Sequence, residues 1–129
     1  MTFALLVTAA PFSQQGAATA LRFAQAAIAS GHRIGRVFFY RDGVYNANAL
    51  SVFPQDEQDI PEDWQMFCRE HRIDAVVCVS AAIKRGIVDT RESQRHELHA
   101  SSLAAPMVIG GLGQLTDAMI DCDRLVTFG

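Results

Sequence analysis

The chain has no long hydrophobic run, no excess of positive charge and no paired-cysteine motif, and each lack removes a class of function. No segment approaches the roughly 18 consecutive apolar residues that a membrane-spanning helix needs, so no membrane role is expected. The opening MTFALLVTAAPF holds an apolar run of only about seven residues with no basic stretch before it, and reads as a first strand rather than a signal peptide. A cytoplasmic location is the expectation. With 11 Lys and Arg against 14 Asp and Glu, the formal charge is −3. That gives no field for holding a phosphate backbone by counterion release, so direct, tight nucleic-acid binding is not expected. Cys68, Cys78 and Cys122 are an odd set without CxxC spacing. This argues against a disulfide framework and against a thiolate zinc site, and leaves at least one thiol free, as buried filler or as reactive nucleophile.

What is present is mostly apolar: 50% of the 129 residues are hydrophobic, enough for a sizeable core in a chain of one-domain length. Residues 1–129 are therefore read as a single domain. Five short apolar runs, Phe3 to Ala9, Ile34 to Tyr40, Asp74 to Val79, Pro106 to Gly110 and Arg124 to Phe128, alternate with helical patterns. Inside them the apolar residues are continuous, as in ALLV, VFF and AVVCV, which is the pattern of parallel strands covered on both faces. The expected fold is a three-layer α/β/α sandwich with a five-stranded, mainly parallel sheet.

The first helix is expected to start near Ser13, a hydroxyl that can cap free amides, and to end at Gly31. Pro61 marks the first turn of a second helix, with Trp64, Phe67, Cys68 and His71 on one side. The segment after Cys78, SAAIKRG, has good helix formers up to Gly86; further helices are expected between Thr90 and Leu103 and from Leu115 to Ile120.

In a parallel sheet, reactive groups collect at the carboxyl ends of the strands, where loops open and helix N-termini present their amides. This sorts the cysteines. Cys78 is read as the penultimate residue of its strand, just before a helix starting around Ser80, with Lys84 and Arg85 further along to favour the thiolate. A small hydrophobe filling a strand is the competing reading. Cys68 shares a helical face with Trp64 and His71 and reads as core, and Cys122, at the other end of the sheet, reads as structural. The loop YRDGVYNAN, rich in hydrogen-bonding groups from Tyr40 to Asn46 and Asn48, should emerge beside Cys78, although Asp42-Gly43 is equally an ordinary turn. The glycines Gly110, Gly111 and Gly113 open at the same edge without a full dinucleotide fingerprint. His96 and His99 have no third ligand in view, so no metal site is expected, and Arg91, Glu92, Arg95, His96 and Glu97 read as solvated surface.

VFFYRDGVYNAN, the run AVVCVSAAIKRGIVD around Cys78, GGLGQL and the ending CDRLVTFG resemble, in order and spacing over essentially the whole chain, the TusD/DsrE family of sulfurtransferase subunits. The resemblance implies a sulfur-relay subunit that carries a persulfide on Cys78. It further implies TusB- and TusC-like sister chains in a heterohexamer, a TusA-like donor, a TusE-like acceptor and 2-thiouridine in tRNA as the end product. No metal or organic cofactor is required for thiol exchange. Tyr40, Asn46, Asn48, Ser80, Lys84, Arg85 and Gly111 are the candidates for shaping the pocket or stabilising the thiolate. Three alternatives stay open: a DsrE-type subunit in dissimilatory sulfur oxidation, a non-catalytic scaffold subunit of such a complex, and a flavodoxin-like binder of a small ligand.

Overall fold

Each of the five apolar runs forms a strand. In the computed structural model, which describes residues 1–129, β1 (Thr2–Val7), β2 (Arg33–Phe39), β3 (Ala75–Cys78), β4 (Val108–Gly110) and β5 (Arg124–Phe128) make one sheet in the order β4-β3-β2-β1-β5. Every neighbouring pair is parallel. The helices are α1 (Gly16–Ala29), α2 (Ile60–His71), α3 (Val79–Ile83), α4 (Thr90–Arg95) and α5 (Leu112–Asp121), with a 3-10 helix at Arg41–Ala47. No helix is long and apolar enough to cross a membrane.

The strand order decides which helix covers which face. From β1 to β4 the chain steps steadily one way, and right-handed crossovers then put α1, α2 and the α3–α4 segment on one face. The connection from β4 back across to β5 puts α5 on the other. Side chains agree, because neighbours along a strand point to opposite faces. Phe39 meets Trp64 of α2 with ring centroids 5.4 Å apart, and Phe3 meets Phe23 of α1 at 5.2 Å. Arg36 points the opposite way and donates from Nη1 to the Gln114 carbonyl in α5 at 2.8 Å. The crowded face holds most of the core, centred on Trp64, which is fully buried and donates from Nε1 to the Ala17 carbonyl at 3.1 Å.

Helix boundaries follow local chemistry more than the expected caps. α1 begins at Gly16, not near Ser13, and its N-cap Gln15 makes no side-chain cap. Gly16 lies so close to the Gly129 carbonyl and to Ala9 that a Cβ there would sit 2.8 Å from the Ala9 methyl, so the chain enters the helix where only glycine fits. Gly31, with φ of 86°, turns the chain out after α1 as expected. α2 is capped by Asp59, whose carboxylate accepts from the Glu62 amide at 3.0 Å, with Pro61 in the first turn. α4 stops at Arg95 instead of running toward Leu103. Ser93 donates to the Ala100 carbonyl at 2.9 Å and Ser102 to the Gly86 carbonyl at 2.6 Å, and these bonds fold the remainder into a compact loop.

Candidate active site

Cys78 is the last residue of β3 and the N-cap residue of α3, with extended backbone; Val79, expected to close the strand, is already helical. In the ladder Cys78 pairs with Gly110, the last residue of β4. From this pair the two chains part: β3 continues into α3 on the crowded face, and β4 continues into α5 on the other. Such a parting of neighbouring strands opens a crevice outside their carboxyl ends, the usual place for a site in an open α/β sheet.

The direction of the thiol follows from the same register. Val76 and Cys78 share a face, and a Cβ added at Gly110 would lie 2.6 Å from Val76 Cγ1 and collide with the Gln114 side-chain oxygen of α5. The Cys78 side chain therefore points toward the face that α5 alone covers. On its other side the β2–β3 ladder ends at Phe39–Val77, and one further step along the same register brings Tyr40 beside Cys78. The Ser80 hydroxyl lies 3.6 Å from the Cys78 sulfur, within hydrogen-bonding reach for sulfur.

Cys78 is only 2% exposed, and none of the three surface grooves on the chain includes it. Next to it in the chain Val79 is half-buried and Ser80 is exposed, as is Gly111 after its ladder partner.

The other candidates divide into those gathered at Cys78 and those set elsewhere. Tyr40 and Ser80 flank it, and the Tyr40 ring carries the Arg41 guanidinium 5.8 Å from its centroid. Arg85 is one step removed: it donates from Nε to the Asp42 carboxylate at 3.0 Å and from Nη1 to the Ala81 carbonyl at 3.0 Å. It thus ties α3 to the 3-10 helix. Lys84 is the exposed C-cap of α3. Both cations lie beyond a helix of only five residues, where the expectation had them along a longer one. Asn46 is fully buried and donates to the carbonyls of Ala9 at 3.2 Å and Gly43 at 2.9 Å, joining the loop after β1 to the 3-10 helix. Its side-chain oxygen has no partner. Asn48 accepts from the Leu50 amide at 3.0 Å and shapes its own turn. Gly111 is the exposed N-cap of α5, its amide donating to the Gln114 side-chain oxygen at 3.0 Å. The glycine beside the thiol is its neighbour Gly110. The repeated glycines signal a close approach in the sequence, but only the register says which one faces the sulfur.

The remaining chemistry lies apart. Burial pushes the Cys68 thiol up to about 12, which keeps it protonated in the core. Cys122 is raised as well, first by partial desolvation and then by Asp121, with Arg36 opposing. It sits near Thr2 and Gly35 at the amino ends of β1 and β2, the far end of the sheet from Cys78. Glu92, expected on a solvated surface, is only 8% exposed, with His96 Nε2 at 3.4 Å from its carboxylate. Asp89 accepts from the Glu92 amide at 2.8 Å and so caps α4. No three His, Cys, Asp or Glu side chains gather to hold a metal ion.

Three likenesses bear on this geometry. The model of the DsrE/DsrF-like family matches residues 1–128. Sulfurtransferase TusD of Photorhabdus laumondii subsp. laumondii is 42% identical over 128 residues, covering 99% of this chain and 98% of that protein. Among solved structures, the ychN protein from E. coli superposes with a TM-score of 0.71 over 99% of this chain and 100% of that one, at 19% identity, a likeness of fold alone.

Proposed function

The chain belongs to the DsrE/DsrF-like family, and from that premise we propose that it is a cytoplasmic sulfur-relay subunit carrying a persulfide on Cys78. The likeness to TusD gives the class, a sulfurtransferase with a sulfur-relay role. The carrier residue, the donor, the acceptor and the destination of the sulfur are the proposal. The observation that supports it most is the place of Cys78, at the pair of strand ends whose continuations part, opposite a glycine against which the Gln114 side chain of α5 packs.

The reaction is two thiol exchanges. The Cys78 thiolate attacks the outer sulfur of a persulfide on a TusA-like donor; the new S–S bond forms on Cys78, the donor's S–S bond breaks, and the donor leaves as a thiolate. A thiolate on a TusE-like acceptor then attacks the outer sulfur now on Cys78, and the Cys78 thiolate is released. Electrons balance within the exchange, so no external oxidant or reductant enters. The protein's part is to hold charge at one sulfur. The Ser80 hydroxyl can donate to it, and α5 begins two residues after the glycine paired with Cys78, bringing its positive end near the same rim. TusB- and TusC-like sister chains would complete the assembly, with thiolated tRNA as the end of the relay.

Burial of Cys78 to 2% exposure favours one competing reading, a scaffold subunit with an inert thiol. Mass spectrometry after incubation with inorganic polysulfide separates the two. The carrier gains the mass of one sulfur on the Cys78 peptide, and Cys78→Ser gains none at any other position. Equal labelling of the wild type and the variant, or no labelling of either, leaves the scaffold reading.

A further inference from the structure

At the carboxyl end of β2 the sequence turns abruptly from apolar to charged: Phe38, Phe39 and Tyr40 are followed by Arg41 and Asp42. Alternation along the strand sorts the aromatic rings. Phe39 faces Trp64 on the crowded side, while Phe38 and Tyr40 point the other way with ring centroids 6.4 Å apart. The Tyr40 ring therefore stands on the face toward which the Cys78 thiol points. It is carried by the neighbouring strand, at a backbone spacing of about 4.8 Å.

Continued extension would send the Arg41 side chain to the crowded side. Instead Arg41 takes φ of 51°, in the left-handed region that a non-glycine residue enters at a cost, and opens the 3-10 helix. With this turn its guanidinium lies over the Tyr40 ring, 5.8 Å from the centroid. Nothing of opposite charge answers it there. Arg41 is exposed and pairs with no carboxylate, and the acid next to it in the chain, Asp42, is held by Arg85 at 3.0 Å.

We propose that Arg41 recognises the charge of the transferred sulfur: its guanidinium draws anionic sulfur donors to Cys78 and holds the outer sulfur of the persulfide once formed. The inference rests on the carrier reading above and adds the residue that reads the charge. In a persulfide the negative charge rides on the outer sulfur, about 2 Å beyond the cysteine Sγ. The Ser80 hydroxyl serves the inner atom, at 3.6 Å, so the outer one needs a donor of its own. A guanidinium spreads several N–H donors over a plane and keeps its charge at every working pH. Seated on an aromatic ring, it is also held in place. A cation left uncompensated at a site concentrates anions there and raises their rate of arrival.

The test compares anionic and neutral reagents of similar size on the full chain, reading the Cys78 peptide by mass spectrometry. Iodoacetate carries a charge and iodoacetamide does not; both lose iodide to the thiolate. Arg41→Asn removes the cation with a residue that tolerates left-handed backbone, so the fold is kept. It should slow iodoacetate about tenfold and iodoacetamide by less than about threefold. Inorganic polysulfide should follow iodoacetate. There the thiolate takes the terminal sulfur, which keeps its negative charge, and the remainder leaves one sulfur shorter. Arg41→Lys should recover most of the loss, and high NaCl should shrink the difference between Arg41→Asn and wild type. Arg33→Gln, which removes the same charge from the amino end of β2, should leave the ratio of the two reagents unchanged. The proposal is overturned if both reagents slow together in Arg41→Asn, if neither slows, if Arg33→Gln has the same effect, or if Cys78 reacts with neither reagent in the wild type. Polysulfide labelling of the wild type reports on the carrier reading by itself, and the reagent ratio reports on Arg41, so each can fail alone.

Discussion

Cys68 and Cys78 are buried to almost the same degree, 1% and 2% exposed, and belong to one hydrophobic cluster, yet their surroundings differ in kind. Cys68 sits inside α2, between helix and sheet, on the face that α1 and α2 both cover. Its thiol is held protonated by that burial. Cys78 lies where a strand ends and two chains part, facing the side that one helix covers, with a hydroxyl in reach and a bare glycine alongside. The lesson is that fractional burial alone does not rank thiols. What matters is how much chain must move before a second sulfur can approach.

Removing the cover over Cys68 is the most drastic way to break this contrast. Trp64→Ala deletes a fully buried ring and its hydrogen bond to Ala17, and should cost about 3–5 kcal/mol in urea unfolding. Alkylation of Cys68 should rise with it. A stable variant with Cys68 still unlabelled would mean that the two environments are more alike than the packing suggests. Crowding the strand pair beside the other thiol comes next. Gly110→Val must displace Gln114 and Val76, at about 1–3 kcal/mol, and should slow alkylation of Cys78 while leaving Cys68 unchanged.

The contrast also has a pH signature. A thiol with an ordinary value of 9.0 raised to about 12 keeps its proton in the fold, while the unfolded chain loses it above 9. Between these values the unfolded state binds fewer protons, so stability contributed by Cys68 is complete below pH 9 and is lost as pH rises toward 12. The fall should be on the order of 1 kcal/mol per pH unit, and Cys68→Ala should flatten the curve relative to wild type. The smallest effect is expected from Asp42→Asn, which breaks a partly exposed ion pair worth about 1 kcal/mol or less. Stability should barely change, while alkylation of Cys78 quickens as α3 loosens from the 3-10 helix.

The sheet was legible in the sequence because its central strands, β3 above all, are buried on both faces and so appear as unbroken apolar runs, whereas the edge strands β4 and β5 hold no fully buried residue. Gly31 and Pro61 likewise sit where their backbone chemistry requires. What failed to show were features set by contact between distant segments. The start of α1 depends on Gly16 meeting Gly129, over a hundred residues away, and Ser13 carries no trace of it. Choosing between Gly110 and Gly111 needs the β3–β4 register. Glu92 reads as surface in a charged stretch, yet the fold buries it, in a region where Ser93 and Ser102 hold the chain after α4 in a compact loop. Lys84 and Arg85 read as helix charges until α3 stops at Ile83 and leaves Arg85 to Asp42.

The neighbouring of β1 and β5 has a consequence for synthesis. Residues 124–128 supply the outer partner of β1, so a growing chain that has made the other four strands still exposes one open side of Leu5, Leu6 and Val7 to any strand nearby. Until that last stretch clears the ribosome, the nascent protein depends on chaperone cover or speed to avoid pairing with the wrong chain.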